Sequence, residues 1–246
     1  MKTIAALSDI HGNILALQAV VADLTKRRVD AVVNLGDHVS GPLWPGETIQ
    51  FLMKQAWTQI SGNHDRQLVK NDPRKHGLSD AYAFKSLHAE EKKWLEQLPP
   101  TAALDKEVFL FHGTPSNDTE YMLETISHGR AVLASKDEIS KRLGSSRSRI
   151  MLCGHTHIQR AVEAEEGVLI VNPGSVGLPA YKDELPDPHV IESGSPHARY
   201  AILRFDKLWS VELIAVQYDW EQAATRAAHN GRQDWAFALK TGFVAQ

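Results

Sequence analysis

Thr3-Ile4-Ala5-Ala6-Leu7-Ser8-Asp9-Ile10-His11-Gly12-Asn13 joins a short, partly β-branched apolar run to a turn crowded with chemically active side chains. The run stops at Ser8-Asp9 and reads as a buried strand. Beyond it, Ile14, Leu17, Val20, Val21 and Leu24 recur at helical spacing and leave Asp23, Lys26 and Arg27 outside. Residues 31–35 form a second compact run, ending in Gly36-Asp37. Residues 46–56 read as a helix, and residues 57–60 as a third strand ending at Ser61-Gly62. Strand, helix, strand, helix, strand in that order predicts right-handed βαβ units around a buried sheet.

The middle of the chain is more helical. Residues 81–87 and 88–98 carry a helix pattern that Pro99-Pro100 must end, because proline lacks the N–H and clashes with the preceding turn. Residues 107–111 read as a strand running into His112-Gly113, residues 129–143 as a helix, and residues 150–153 as another strand. The last third changes character. Residues 159–164 and 168–171 form a hairpin pattern across Glu165-Glu166-Gly167, and residues 199–205 and 209–217 form another. Antiparallel strands after parallel ones predict a second or mixed sheet. Residues 173–196, rich in Pro, Gly, Asp and Ser, read as an irregular surface loop bordering the site, and residues 220–229 as a short helix. No repeat or linker interrupts the pattern, so residues 1–246 are expected to form a single domain.

Composition narrows the function classes. The chain has 246 residues, with 27 Lys and Arg against 30 Asp and Glu, for a formal net charge of −3. A chain so near neutrality has no bulk electrostatic reason to wrap a nucleic-acid duplex or coat an anionic membrane, although one local pocket can still take a nucleotide. Cys153, the single cysteine, excludes an internal disulfide and a Cys-based zinc cluster, and reads as a small core hydrophobe. The leading residues lack the roughly 7–15-residue apolar region of a secretory signal. No apolar stretch approaches the ~20 residues of a membrane span. A cytoplasmic location is therefore expected. The anomaly is histidine: 12 residues, against 5 tyrosines and 7 phenylalanines.

Those histidines are organised. The predicted strands end in Asp9-Ile10-His11-Gly12, Gly36-Asp37-His38, Gly62-Asn63-His64-Asp65, His112-Gly113 and Gly154-His155-Thr156-His157. In sheets of this kind ligands bind at the carboxyl ends of the strands, so the five turns can face one pocket. Carboxylate, imidazole and amide donors together suit Mn, Fe, Ni, Co or Zn better than Mg or Ca. Seven candidate ligands exceed one tetrahedral site and suit two divalent metals sharing a carboxylate, roughly 3.5–4 Å apart. Taken singly, Asp9 and His112 read equally well as turn or cap residues, and Gly36-Asp37 and Gly62-Asn63 as ordinary turn chemistry. The joint pattern is what departs from that.

Asp-x-His, Gly-Asp, Gly-Asn-His-Asp, His-Gly and Gly-His-x-His, in that order from Ser8 to His157, resemble the calcineurin-like metallophosphoesterase family. The run Asn172-Pro173-Gly174-Ser175-Val176-Gly177 is similar to its small phosphodiesterase-like members. The resemblance implies an α/β fold, a four-layer α-β-β-α sandwich of two mixed β-sheets flanked by helices. It implies that Asp9, His11 and His157 hold one metal, that Asn63, His112 and His155 hold the other, and that Asp37 bridges. It implies hydrolysis of a phosphodiester, nucleotide or phosphomonoester by a metal-bridging hydroxide. His64 would contact the phosphate beside Asn63 and protonate the leaving group, with Asp65 orienting it. Family members are often dimers or larger, so self-association is an expectation.

Several residues depart from the family or stand outside it. Phosphoprotein phosphatases of this superfamily carry an arginine four residues after the bridging aspartate; here that position is Gly41, and the third motif ends in Asp65 rather than Glu. Without that bidentate clamp a protein phosphatase is the weaker reading. A non-catalytic scaffold of the same fold should show gaps in the ligand set, and none is present. A metallo-β-lactamase-like site would need His-x-His-x-Asp-His, whereas His155-Thr156-His157 continues as Ile158-Gln159. His38 reads as a packing residue behind the site, with a place facing substrate as the alternative. Arg66 reads as structural, with contact to a phosphate as the alternative. His76, His88, His128, His189, His197 and His229 match no motif and read mostly as surface residues.

Overall fold

The computed structural model describes residues 2–146 and 148–245. β1 (Lys2–Leu7), α1 (Ile14–Leu24), β2 (Ala31–Asn34), α2 (Pro45–Leu52) and β3 (Thr58–Gln59) follow in the expected alternation, and the three strands pair in parallel. Asn13 Oδ1 accepts the Ala16 N–H at 3.2 Å to cap α1. Pro45, with no N–H to leave unpaired, opens α2. Directly on the Gly62 turn begins α3 (Asn63–Lys70), with Asp65 in its first turn. Two further helices, α4 (Leu78–Ser86) and α5 (Ala89–Gln97), end before the paired prolines.

The chain then runs through β4 (Thr101–Ala103), β5 (Val108–Phe111), β6 (Glu124–Ser127), β7 (Arg130–Leu133), α6 (Lys136–Leu143), β8 (Ile150–Leu152), β9 (Arg160–Glu163) and β10 (Leu169–Asn172). It closes with β11 (Ala180–Asp183), β12 (His189–Glu192), β13 (Ala198–Phe205), β14 (Trp209–Val216), α7 (Trp220–His229) and α8 (Gln233–Thr241). The strands form three mixed sheets, ordered β14-β13-β1-β2-β3, β4-β5-β8-β10-β9 and β11-β12-β7-β6. The α/β class and the mixed sheets are as expected. The third sheet is additional to the two that the family resemblance implies.

Burial explains how the first two sheets meet. Ile4, Ala6, Val33 and Leu35 of the first sheet share one cluster with Val108, Leu110, Ile150 and Leu152 of the second. Strand alternation sends Ala5 and Leu7 to the opposite face, where they pack with Leu17 and Val20 of α1. On the outer face of the second sheet, Phe111, Met151 and Ile170 pack with Ile139 and Leu143 of α6. No helix among the described residues is long and apolar enough to cross a membrane.

Two stretches differ from the sequence reading. Residues 129–143 are not one helix: β6 and β7 form a hairpin across His128 and Gly129, both with left-handed φ (52° and 71°). Such a turn matches the twist of paired strands. The helix starts only at Ser135, whose hydroxyl and the Glu138 carboxylate close a capping box. Residues 173–196, expected to be irregular, contain β11 and β12. Their short apolar alternation is hidden between proline and acidic residues; they pair with each other, and β7, far along the chain, joins β12 to its sheet. The sequence pattern also passed over α8, which packs on α7 through alanines and covers Leu43 and Leu178.

Candidate metal centre

All five motif turns converge at the carboxyl ends of β1, β2, β3, β5 and β8. Of the eight described non-glycine residues with positive φ, five are candidate ligands: Asp9 (56°), His11 (51°), Asp37 (57°), His155 (70°) and His157 (59°). A left-handed backbone costs a non-glycine residue about 1–2 kcal/mol. Strain concentrated in this way marks a functional site. Hydrogen bonds between turns hold it: Asp9 N–H donates to Gly36 O at 3.0 Å, His11 N–H to Asp37 O at 2.9 Å, and Gly177 N–H to Asp9 O at 3.0 Å. The motif glycines give clearance. A Cβ on Gly36 would lie 2.3 Å from Gly62 N, and one on Gly62 would lie 2.2 Å from Asp37 Oδ1.

The donor atoms form two groups, Asp9 with His11 and His157, and Asp37 with His112 and His155. In the first, His11 Nε2 lies 3.1 Å from His157 Nε2, which lies 3.3 Å from Asp9 Oδ1. In the second, His112 Nε2 lies 3.3 Å from Asp37 Oδ2 and 3.0 Å from Asn63 Oδ1. Asp37 Oδ1 accepts the His64 N–H at 2.9 Å, which leaves Oδ2 between the groups, 3.9 Å from His11 Nε2. The structure thus brings all seven expected ligand residues together.

The backbone fixes which nitrogen each imidazole offers. His11 Nδ1–H donates to Ser40 O, His112 Nδ1–H to Leu35 O and His157 Nδ1–H to Leu178 O, each at 2.7 Å. Metal-binding histidines are oriented in this way by their second nitrogen. His155 instead donates Nε2–H to Thr119 O at 3.2 Å and keeps Nδ1 for the site. A neutral His11–His157 pair sets two lone pairs 3.1 Å apart, repulsive unless a proton or cation is shared between them. Asp9 Oδ1 is buried and has no hydrogen-bond partner. The donor set therefore fits divalent cations.

Electrostatics agree. Burial, then the charge of His157, lowers His11 to about 4, and burial, then the charge of His112, lowers His155 to about 3. Both imidazoles are neutral donors near pH 7. Burial opposes a charge on His112 as well, but Asp37 and then Asp9 outweigh it and raise it to about 10. In the absence of a metal, the carboxylates hold a proton there instead. Burial would raise Asp9, yet His157 and His112 bring it down to about 2.

His64 lines the cavity with 35% of its side chain exposed, and Asp65 does not orient it. Consecutive helical residues do not face one another. Asp65 points back into the protein and accepts four hydrogen bonds, from Gly62 N–H (2.9 Å), Asp37 N–H (2.8 Å), His38 N–H (3.0 Å) and His38 Nδ1–H (2.7 Å). It braces the Asp37 turn. The partner of His64 Nδ1 is Asp80 Oδ1 in the first turn of α4, at 3.0 Å, and Asp80 also accepts from the Ser40 hydroxyl at 2.5 Å. Burial opposes protonation of His64, but Asp37, then the Asp80 hydrogen bond and charge, raise it to about 9. Asp80 belongs to no motif and was legible only as a helix-start acid.

The neighbouring residues have structural roles. His38 is buried between Asp65 and Trp94, as a packing residue should be. Arg66 makes a two-pronged pair with Asp118, at 2.6 and 2.8 Å, and not a free phosphate contact. His189, expected at the surface, is buried and bonded to Tyr121 Oη at 2.8 Å. Beside the ligands opens a cavity of about 1100 Å³, one wall of which is α8.

Comparison with known proteins gives concordant results. The family model described as the calcineurin-like phosphoesterase superfamily domain matches residues 1–191. An uncharacterized protein of Methanocaldococcus jannaschii is 25% identical over 250 residues, 94% of each chain. A metallophosphoesterase structure from Sphaerobacter thermophilus has a TM-score of 0.76 and 24% identity, covering 98% of this chain and 99% of that one. A hypothetical protein structure from Pyrococcus horikoshii has a TM-score of 0.77 and 19% identity, covering 100% of both chains. These two structures share the fold.

Proposed function

Because the chain belongs to the calcineurin-like phosphoesterase superfamily, we propose that it hydrolyses a small phosphoester at a two-metal centre. The observation that carries this reading is the convergence of two complete donor groups joined by Asp37 Oδ2, with His64 on the cavity beside them. Asp9, His11 and His157 would hold one divalent ion, and Asn63, His112 and His155 the other. Such a pair supplies Lewis-acid stabilisation of phosphoryl oxygens and activation of water for in-line attack on phosphorus.

The chain's own residues supply the remainder. Asn63 and His64 open α3 at the cavity, so a phosphate placed there meets the positive end of the helix. Asp80 and Ser40 fix the His64 ring through Nδ1, leaving Nε2–H to donate to the leaving-group oxygen. Hydrolysis forms one P–O bond from water and breaks the P–O bond to that oxygen, which departs as an alcohol. A proton donor of this kind contributes typically 10²–10⁴-fold.

Chelator treatment should abolish hydrolysis of bis(p-nitrophenyl) phosphate, and Mn²⁺ or a similar ion should restore it. His64→Ala should retain both metals while kcat falls about 10²-fold or more. Undiminished turnover by verified metal-free protein would sink the proposal, and metal loss in His64→Ala would make His64 a ligand.

A further inference from the structure

The third sheet reaches the metal centre through a tyrosine. His155 holds φ at 70° and His157 at 59°, a conformation that persists in non-glycine residues only where the surroundings over-determine it. The peptide group ahead of His155 is held at both ends: Asn172 Nδ2–H donates to Gly154 O at 2.7 Å, and His155 N–H donates to Asp9 Oδ2 at 3.2 Å. The peptide group after it is held within the turn by Thr156 N–H, which donates to Gly154 O at 2.9 Å. From outside the turn, Tyr181 Oη–H of β11 donates to His155 O at 3.2 Å. Because each peptide group is planar, fixing both planes fixes φ and ψ at His155, and with them the direction in which its side chain leaves the backbone.

Tyr181 is itself held. Its Oη lies 3.1 Å from Tyr121 Oη, which lies 2.8 Å from His189 Nε2 of β12. His189 Nδ1–H donates to Asp187 O at 2.7 Å and so turns Nε2 toward the tyrosines. Tyr121 and His189 are both buried. Burial raises the two phenols above their ordinary pKa, so each keeps its hydrogen near neutral pH. The rings add a second contact: Tyr181 stands 4.8 Å from the His157 ring at 64°, and Tyr121 stands 5.0 Å from the His155 ring at 59°. Two residues before Tyr121, Thr119 O accepts His155 Nε2–H, so one loop backs both the ring and the carbonyl of that histidine.

The hydroxyl and the ring of Tyr181 thus address different ligands. Resting on the two-metal reading, we propose that Tyr181 is a positioning residue of the metal centre: its hydroxyl, backed by Tyr121, fixes His155, and its ring packs His157. It acts through these two histidines. Groups bonded directly to a ligand's ring commonly govern metal affinity by tenfold or more. Here the bond goes to the backbone, so the effect expected is that of one neutral hydrogen bond, about fivefold in affinity. Because that bond bears on His155 alone, its loss weakens the ion held with Asn63 and His112 and spares the ion held with Asp9 and His11. Tyr181 also borders the cavity, and contact with substrate is the competing role. That role would change KM and leave both metal affinities as they are.

The test titrates metal-free wild type, Tyr181→Phe, Tyr181→Leu, Tyr121→Phe and the Tyr121→Phe/Tyr181→Phe double variant with Mn²⁺, reading free and bound ion by electron paramagnetic resonance. Wild type should take two ions. Tyr181→Phe should weaken one of them about fivefold and leave the other within twofold. Asn63→Ala, which removes a donor from the same ion, identifies the affected site. Tyr121→Phe should act in the same direction, and the double variant should match Tyr181→Phe, because both hydroxyls act through one chain of hydrogen bonds. Tyr181→Leu, which lacks the ring as well, should weaken both ions. If it fails to fold, the phenylalanine variants decide, since they keep the rings. A Tyr181→Phe protein with both affinities at wild type, or with both lowered equally, overturns the inference alone. A raised KM at unchanged metal affinity overturns it in favour of substrate contact. A wild type that takes fewer than two ions overturns the two-metal reading, and this inference with it.

Discussion

Replacing Asp80 by asparagine separates the role of a ligand from that of a residue that positions the proton donor. Asp80 touches none of the seven proposed ligand residues; its Oδ1 holds His64 Nδ1 at 3.0 Å and receives the Ser40 hydroxyl at 2.5 Å. Asparagine preserves the shape and still accepts from Ser40, but it removes the charge that favours a protonated His64. A hydrogen bond to a charged group is worth about 1.5–3 kcal/mol. Expressed in the transition state at about 1.4 kcal/mol per factor of ten, that predicts a fall in kcat of about 10- to 150-fold. The assay is steady-state hydrolysis of bis(p-nitrophenyl) phosphate at saturating metal, with metal stoichiometry measured on the same samples. KM and metal content should stay near wild type, because the lost bond contacts neither. A kcat within twofold of wild type would refute the assignment of Asp80 as the residue that positions His64. Loss of a metal ion would show that Asp80 supports the centre itself.

Other perturbations separate the remaining residues. Asp65→Ala strands four buried donors and should destabilise the protein by about 3–5 kcal/mol with impaired metal binding; an unchanged Tm with a lowered kcat would return Asp65 to a purely catalytic role. Arg66→Ala breaks a pair whose arginine is 36% exposed, so stability should change by less than about 1 kcal/mol. Its KM should also stay within twofold, and a large rise would reveal a phosphate contact. Adding Mn²⁺ at a hundred times its dissociation constant should stabilise the fold by about 2.7 kcal/mol, a Tm rise of about 5–11 °C. Scanning calorimetry with and without chelator reads this directly, and coincident melting curves would mean that the folded chain does not hold the ion.

The ligand turns were legible because each is local. A strand, a glycine and a donor within four residues suffice, and the topology that gathers them follows from parallel βαβ order. Asp80 and Trp235, whose indole lies edge-on to the His11 ring, were not legible, because each reaches the site from a helix placed by tertiary packing, and nothing in their own neighbourhoods distinguishes them from a helix-start acid and a core aromatic. Asp65 was misread for a geometric reason: next to His64 in sequence, it is turned to another face of α3. The β7 strand at the start of residues 129–143 was hidden because its partner β6 and the left-handed turn at His128-Gly129 lie at or before the edge of that stretch. The strands at residues 180–183 and 189–192 pair with each other, and the second joins the sheet through β7, information that no short window contains.

The order of strands in the first sheet also has a consequence for biosynthesis. β1 emerges from the ribosome first, yet it lies between β2 and β13, whose residues 198–205 are made near the end. Until then one edge of β1 has its N–H and C=O groups unpaired, open to mispairing with another nascent strand. All seven candidate ligands have been polymerised by His157, but the turn bearing Asp9 and His11, held on one side by the Gly36-Asp37 turn, is not clamped on the other until Val176 and Gly177 donate to Ser8 O and Asp9 O. The indole beside His11 arrives later still, at residue 235. Elongation therefore delivers the donors first, their backing strand next and the α8 wall of the cavity last, so a chain ending between residues 157 and 198 would carry every ligand residue on an unfinished sheet.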